Sequence, residues 1–261
     1  MAKEVFSRYE SKFLIDSKTY NRITEKLTDY MKPDKHHQTQ ELYTVCNIYY
    51  DTEDNYLIRT SLSKPCYKEK LRLRSYGEVR SDSMVYLEIK KKYNGLVNKR
   101  RTSLKPDEAY SFIHTGKRPE YKHYMNQQVI NEIEYILYHY NLKPMLYLAY
   151  DRKAYSGSEG SSLRITFDTN IRTRRSDLKL ENGDYGEPLE NFDRYLMEIK
   201  TSTNFPLWLT SILSDNKIYR TGFSKYGTEY SQLLKRILGK EENRKCSVRS
   251  SVQPQMALQY L

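Results

Sequence analysis

The sequence predicts one α+β domain: an antiparallel β-barrel of seven or eight strands with helices at its periphery. Three observations lead there. Period-two alternation of apolar and polar residues recurs in eight separate stretches, helical spacing is confined to a few others, and no Pro-, Gly- or Ser-rich linker marks an internal boundary. A chain of 261 residues suits a single barrel-sized domain.

In chain order, residues 3–15 alternate as a strand, and Tyr20, Ile23, Leu27 and Met31 then recur at helical spacing. Pro33 and the polar run from Asp34 to Gln40 end that helix. Strands follow over 42–50, 66–76, 84–93 and 96–104, and Asn94-Gly95 between the last two is a strong hairpin turn signal. Helices are expected over 106–114 and 128–140, the second with Val129, Ile133, Ile136 and Leu137 on one face. Strands return over 145–155, 162–172 and 195–201, with a polar loop between Arg174 and Asp193. Helices over 206–213 and 228–238 close the domain, which spans 1–238. The polar, aperiodic stretch 239–261 reads as a disordered C-terminal tail.

Composition narrows the partner. Lysine and arginine total 44 against 33 acidic residues, a formal charge of +11, which favours an anionic ligand: nucleic acid, an acidic membrane surface or a phosphorylated small molecule. Tyrosine is abundant, with 26 residues beside seven Phe and one Trp; it suits half-buried strand positions where the ring packs and the hydroxyl reaches a polar partner. The three cysteines, Cys46, Cys66 and Cys246, are too few and scattered for a disulfide framework or a zinc site. No signal region or long apolar stretch is present, so a cytoplasmic protein is expected. The His36-His37 pair sits in a polar context and reads as surface.

The informative pattern is which strand faces carry charge. Residues i and i+2 share a face, so Arg8, Glu10 and Lys12 align; so do Lys68, Lys70, Arg72 and Arg74; Glu88, Lys90 and Lys92; Arg164, Thr166 and Asp168; and Glu198 and Lys200. Each set backs onto an apolar one, such as Val85, Leu87 and Ile89. Any one of these could be the solvent face of an ordinary sheet. Together they repeat a narrow vocabulary, with Glu-x-Lys in three strands, where solvent faces also admit Ser, Thr, Gln and Asn. Same-face cations about 6–7 Å apart repel by roughly 2–3 kcal/mol at an effective dielectric near 20. Enclosing such faces in a barrel is tolerable with a polyanion inside, which makes the enclosure a phosphate site. The carboxylates Glu10, Glu88, Asp168 and Glu198 either pair with neighbouring lysines or hold a hard divalent cation such as Mg²⁺ or Mn²⁺.

The segments YESKF, YKEKLRLRSYG, LEIKKKYNGLVNKRR, RITFDTNIRTR, LMEIKT and FSKYG, in this order, resemble the VTC-type polyphosphate polymerase domain, over roughly 4–236. That domain is the catalytic part of the eukaryotic vacuolar transporter chaperone complex, with stand-alone bacterial relatives, and belongs to the triphosphate tunnel metalloenzymes (the CYTH-like superfamily). The resemblance implies a tunnel-forming barrel and a metal-dependent transfer of the ATP γ-phosphate onto inorganic polyphosphate, with a membrane subunit as a conceivable partner. By motif, Arg72, Arg74, Lys90, Arg164 and Glu198 would be catalytic, Lys12, Lys70, Lys200 and Lys225 would grip phosphates, and Arg100, Arg101 and Arg152 would add contacts. Glu198 and Glu10 would bind Mn²⁺ or Mg²⁺. Two departures stand out. The superfamily's opening Glu-x-Glu-x-Lys is Arg8-x-Glu10-x-Lys12 here, and Gly222-Phe223 precede Ser224-Lys225 where the eukaryotic catalytic branch tends to carry a further lysine.

Other readings remain: hydrolysis of triphosphates in the same tunnel, a non-catalytic polyphosphate binder, or nucleic-acid binding. The last lacks any RNP, zinc-finger or helix-turn-helix signal, and nucleic acid is not expected as a partner. P-loop, kinase and HExxH motifs are absent from the sequence.

Overall fold

The computed structural model describes residues 9–34, 42–94, 96–158, 161–190 and 192–250, with backbone alone over 240–250. The strand expected over 3–8, Arg8, the loop containing His36-His37, Gly95 and residues 251–261 therefore lie outside the described residues.

Within them the chain forms β1 (Tyr9–Ile15), α1 (Ser17–Leu27), β2 (Lys32–Pro33), β3 (Tyr43–Asp51), α2 (Tyr56–Leu62), β4 (Tyr67–Tyr76), β5 (Val85–Tyr93) and β6 (Leu96–Leu104). There follow α3 (Pro106–Thr115), α4 (Gln127–His139), β7 (Lys143–Ser156), β8 (Arg164–Arg174), β9 (Glu187–Pro188), β10 (Tyr195–Thr201), α5 (Leu207–Asp215) and α6 (Lys225–Ser250). Three helix starts have a local cause. Asp16 accepts from the Thr19 amide at 2.7 Å, Asn126 from the Val129 amide at 3.1 Å, and Glu108 from the Lys105 amide at 2.8 Å, satisfying amides that a first turn leaves unpaired. The helix expected from Tyr20 to Met31 stops at Leu27, and Met31 is buried from the loop beyond.

The strands form one antiparallel sheet in the order β1-β10-β8-β7-β3-β4-β5-β6, with β2 and β9 attached to β7 and β8. Every ladder strand has one apolar face, and the helices cover it in two blocks. α1 and α5 pack Tyr20, Ile23, Leu27, Leu209 and Ile212 on Phe13, Ile165, Phe167, Met197 and Ile199. α3 and α4 pack Phe112, Val129, Ile133 and Ile136 on Ile48, Leu71, Leu73, Leu87 and Ile89. Helices on one face leave the other free to curve inward. Register shifts in β3–β7 at Tyr49/Tyr50 and in β7–β8 at Ala149/Asp151 add the local bend and twist that a bulge supplies. The sheet curls into a half-barrel, and the curl is measurable. β1 and β5 are not neighbours in the strand order, yet Lys90 Nζ lies 3.6 Å from Glu10 Oε2 across the hollow.

α6 closes part of the concave side. Tyr226 and Tyr230 bury against Tyr49, Leu146, Leu148 and Ile58. Asp51, fully buried, organises this junction: its carboxylate accepts from the amides of Thr52, Leu57 and Ile58 at 2.8, 2.8 and 2.9 Å and from the Tyr226 hydroxyl at 3.1 Å. It thus caps α2, a helix too short to show a period in the sequence, and fixes the start of α6. Asp51→Ala leaves buried donors unpaired and is expected to lower unfolding free energy by about 3 kcal/mol. Urea denaturation measures this, and a loss below about 1 kcal/mol contradicts that role.

Candidate functional site

Strand alternation and register place the charged residues. Glu10 faces Lys200 across β1–β10, and Lys12 faces Glu198. Glu198 faces Thr166 of β8, and Lys200 faces Arg164. Across the β4–β5–β6 ladder, Lys70 faces Lys90 and Lys90 faces Lys99; Arg72 faces Glu88 and Glu88 faces Arg101. Partners across a ladder share a face, so all of these line the hollow side. Arg152 faces Asp168 from β7.

Two carboxylate groups hold most of the arginines. Glu88, 1% exposed, accepts from Arg72 Nε at 2.6 Å and Lys99 Nζ at 2.7 Å, with Arg74 Nε at 3.8 Å. Arg72 Nη1 also reaches the Tyr49 hydroxyl at 3.2 Å, and Arg74 donates to Asn47 Oδ1 and the Tyr150 hydroxyl at 2.8 and 3.1 Å. In the second group Arg152 bonds Asp168 in a fork at 2.6 and 2.8 Å. Lys225 Nζ lies 2.5 Å from Asp168 Oδ2 and 3.9 Å from Glu198 Oε1, and Lys200 Nζ 3.0 Å from Glu198 Oε2. Lys12 Nζ sits between Glu10 and Glu198 at 3.5 and 3.6 Å and donates to the Phe223 carbonyl at 3.0 Å. Burial opposes ionisation of both glutamates, but the surrounding lysines outweigh it: Glu10 falls to about 2 and Glu198 lies well below the usual carboxylate range. Both are therefore anionic at neutral pH.

The cations next to these groups are not compensated. Among the described residues, Lys68, Lys70, Lys92 and Arg101 have no carboxylate within 4.0 Å. Lys68 and Lys92 face each other, as do Lys70 and Lys90, and like charges directly opposed destabilise a sheet. Burial, followed by the charges of Lys90, Lys12 and Lys68, pulls Lys70 down to about 8. Burial also opposes ionisation of the Tyr49 phenol, but Arg72, Arg74 and Lys70 overcome it and bring it to about 8. The Tyr49 shift reports excess positive potential in the hollow, whereas that of Lys70 reflects burial first and the neighbouring lysines second.

The structure thus brings together Glu10, Lys12, Lys70, Arg72, Arg74, Lys90, Arg152, Glu198, Lys200 and Lys225. Arg164 stands at the rim, 38% exposed and 2.5 Å from Asp34. Arg100 is not part of the site. It faces Ile89 in the ladder, on the helix-covered side, and pairs with Glu132 of α4 at 2.5 Å. Its neighbours Lys99 and Arg101 take the inner positions. Lys99 escaped notice although the hairpin register at Asn94-Gly95 sets it opposite Lys90. Tyr49, Asn47 and Tyr150 were also missed, because nothing in the sequence shows that β3 lies beside β4 and β7 beside β3.

For a metal, the donor set is small. Among the described residues no group of three or more His, Cys, Asp or Glu side chains could hold an ion. Glu10 and Glu198 share one cation, Lys12, between them. One or two carboxylates fit Mg²⁺ or Mn²⁺ when phosphate oxygens and water complete the shell, so these residues suit an ion that arrives with its phosphate.

A family model described as the VTC domain matches residues 7–234. No curated protein matches the sequence. Among solved structures, a candidate adenylate cyclase from Bacillus halodurans superposes with a TM-score of 0.53 at 15% identity, covering 85% of this chain and 96% of that one. A candidate adenylyl cyclase from Hippeastrum, with a dominant triphosphatase activity, superposes with a TM-score of 0.51 at 17% identity, covering 88% and 96%. These likenesses establish the fold, the curled sheet of the triphosphate tunnel proteins.

Two outcomes follow from the charge balance. Below pH 8 Lys70 is protonated in both folded and unfolded chains, so the cost of enclosing it is present in full; it is relieved as pH rises from about 8 towards the unfolded value. A bound polyanion restores the proton. Tripolyphosphate binding at pH 8.5 is therefore expected to take up protons, seen calorimetrically as a buffer-dependent enthalpy, and Lys70→Gln should reduce that uptake, leaving the share of Tyr49, while raising the melting temperature of the free protein. Arg100→Gln, on the far face, is expected to leave tripolyphosphate affinity within about twofold; a larger loss by titration would place Arg100 in the site after all.

Proposed function

This chain belongs to the VTC domain family, and on that basis we propose that it is a phosphotransferase that moves the γ-phosphoryl group of ATP onto the end of an inorganic polyphosphate chain lying in the hollow. The observation that carries this reading is the row of opposed lysines, Lys70 against Lys90 and Lys68 against Lys92, beside arginines already set by carboxylates. Such a row supports a ligand with a charge at every repeat, longer than a single phosphate.

Phosphoryl transfer asks a protein for positioning and charge neutralisation more than for covalent help. Arg72 and Arg74 are held by Glu88, Asn47, Tyr49 and Tyr150, so their guanidinium planes are fixed before substrate arrives. They would receive the equatorial oxygens of the transferring group in forked bonds. Lys12, Lys90, Lys200 and Lys225 would act as point charges along the chain, and Arg164 would turn from Asp34 to phosphate. An oxygen of the acceptor's terminal phosphate attacks the γ-phosphorus as the bond to the β-phosphate oxygen breaks, and ADP leaves with that electron pair. Both Glu10 and Glu198 remain ionised, so neither needs to act as an acid. They would hold the divalent cation, which when bound neutralises phosphate charge. In the family's hydrolytic alternative, water takes the acceptor's place in the same site.

The test is direct. Purified protein with ATP and Mn²⁺ is expected to yield phosphate polymer on a gel, and Arg72→Ala with Arg74→Ala should reduce it by at least about a hundredfold. Phosphate release without polymer would establish the hydrolytic reading, and normal polymerisation by the double variant would refute the site.

A further inference from the structure

The hollow differs from end to end. Along β4 the residues facing it are Lys68, Lys70, Arg72, Arg74 and Tyr76, each about 6.6 Å from the next. At the Lys68 end the sheet presents opposed lysines and no exposed ring. Tyr67 and Tyr93 alternate onto the other face, where Tyr67 bonds Glu69 at 2.8 Å, and Tyr226 is 3% exposed with its hydroxyl on Asp51.

The opposite end is aromatic. Tyr76 is 41% exposed, and its ring lies 5.7 Å from that of Tyr86 at 68° and 6.3 Å from that of Tyr43. Tyr86 shares its ladder position with Arg74, and the Arg101 guanidinium stands 4.9 Å over the Tyr86 ring. Tyr86 and Arg101 are both half-buried. Arg101 has no carboxylate within 4.0 Å among the described residues. Its planar cation and the tyrosine rings present flat, polarisable surfaces, the surfaces on which nucleobases stack. One strand step separates Tyr76 from Arg74 and a second reaches Arg72. A base stacked at Tyr76 leaves its ribose and phosphates to run along that cation row.

We propose that Tyr76, Tyr86 and Arg101 form a nucleobase-stacking site at one mouth of the hollow, which sets its direction: the nucleoside of the phosphate donor sits at the tyrosine end and the polyphosphate runs out past Lys70, Lys90, Lys68 and Lys92. This rests on the reading of the hollow as a phosphate site with a nucleotide donor. The arginine-rich middle then falls where donor and acceptor phosphates meet. The lysine end, with compact charges, grips a chain without fixing its register, as a chain that must advance requires.

The test compares a ligand with a base to one without. ATP and tripolyphosphate are titrated calorimetrically into the full chain, into Tyr76→Ala/Tyr86→Ala, into Tyr76→Phe/Tyr86→Phe and into Arg101→Lys, with melting temperature as the folding control. The alanine pair is expected to weaken ATP about tenfold, the magnitude of one lost base stack, and to leave tripolyphosphate within about twofold. The phenylalanine pair keeps both affinities, and Arg101→Lys, which keeps the charge and removes the flat guanidinium, weakens ATP alone by a few-fold. An alanine pair that folds and loses both ligands equally, or neither, overturns the site. If the alanine pair does not fold, Arg101→Lys decides on the same terms. Wild-type protein that binds tripolyphosphate but not ATP overturns the stacking site and spares the phosphate reading, whereas failure to bind either ligand overturns both.

Discussion

Repulsion among enclosed cations is the constraint on which the architecture depends. Two ammonium groups about 5.5 Å apart repel by about 3 kcal/mol at an effective dielectric of 20, and the β4–β5–β6 ladder sets Lys70, Lys90 and Lys99 side by side. The sheet tolerates this because the charge is divided. Glu88 is shared by Lys99 and Arg72, and Glu198 with Asp168 by Lys12, Lys200, Lys225 and Arg152. These carboxylates offset part of that charge, and the excess, together with Lys70, Lys68, Lys92 and Arg101, attracts an anion. The buried carboxylates therefore have two separate consequences: they make the folded state affordable, and they hold the arginines in fixed poses.

The curl that encloses the charges comes from the other face. Leu87, Ile89, Ile165, Phe167, Met197 and Ile199 are at most 1% exposed beneath the four covering helices. At roughly 25 cal/mol per Å² of apolar surface removed from water, that burial is the favourable quantity set against the electrostatic cost. α6 links the two sides. Asp51 and the Arg175–Glu229 pair, bonded at 2.8 and 2.7 Å, fix its first turns, and Lys225 projects from its start onto Asp168. A structural carboxylate at the rear of the hollow thus determines where Lys225 stands at the front. Among the described residues no helix is long and apolar enough to cross a membrane.

Much of this was legible in the order of residues. Alternation alone assigned Glu10 and Lys12, Lys70 to Arg74, Glu88 and Lys90, and Glu198 and Lys200 to one face each, because a strand's side-chain period of two leaves no other arrangement once the apolar partners are known. The eight expected strands and their apolar faces match β1, β3–β8 and β10 taken together, and α1, α3, α4 and α5 lie close to where apolar spacing put them. The helix expected over 228–238 proved longer, running from Lys225 to Ser250, with its first turn inside the site.

The rest depended on contacts between residues far apart in the chain. β1 pairs with β10 and β3 with β7, and no local pattern encodes which strand lies beside which. For that reason Tyr49, Asn47 and Tyr150 were invisible as supports for Arg72 and Arg74, and α2, held by Asp51 from a preceding strand, showed no signal. Arg100 was assigned to the site by motif alone, and one residue of register sets it on the opposite face. Local chemistry fixed which charges each strand could present together, whereas the folded sheet chose which of those charges would meet, because only long-range pairing and curvature set the distances over which Coulomb forces act.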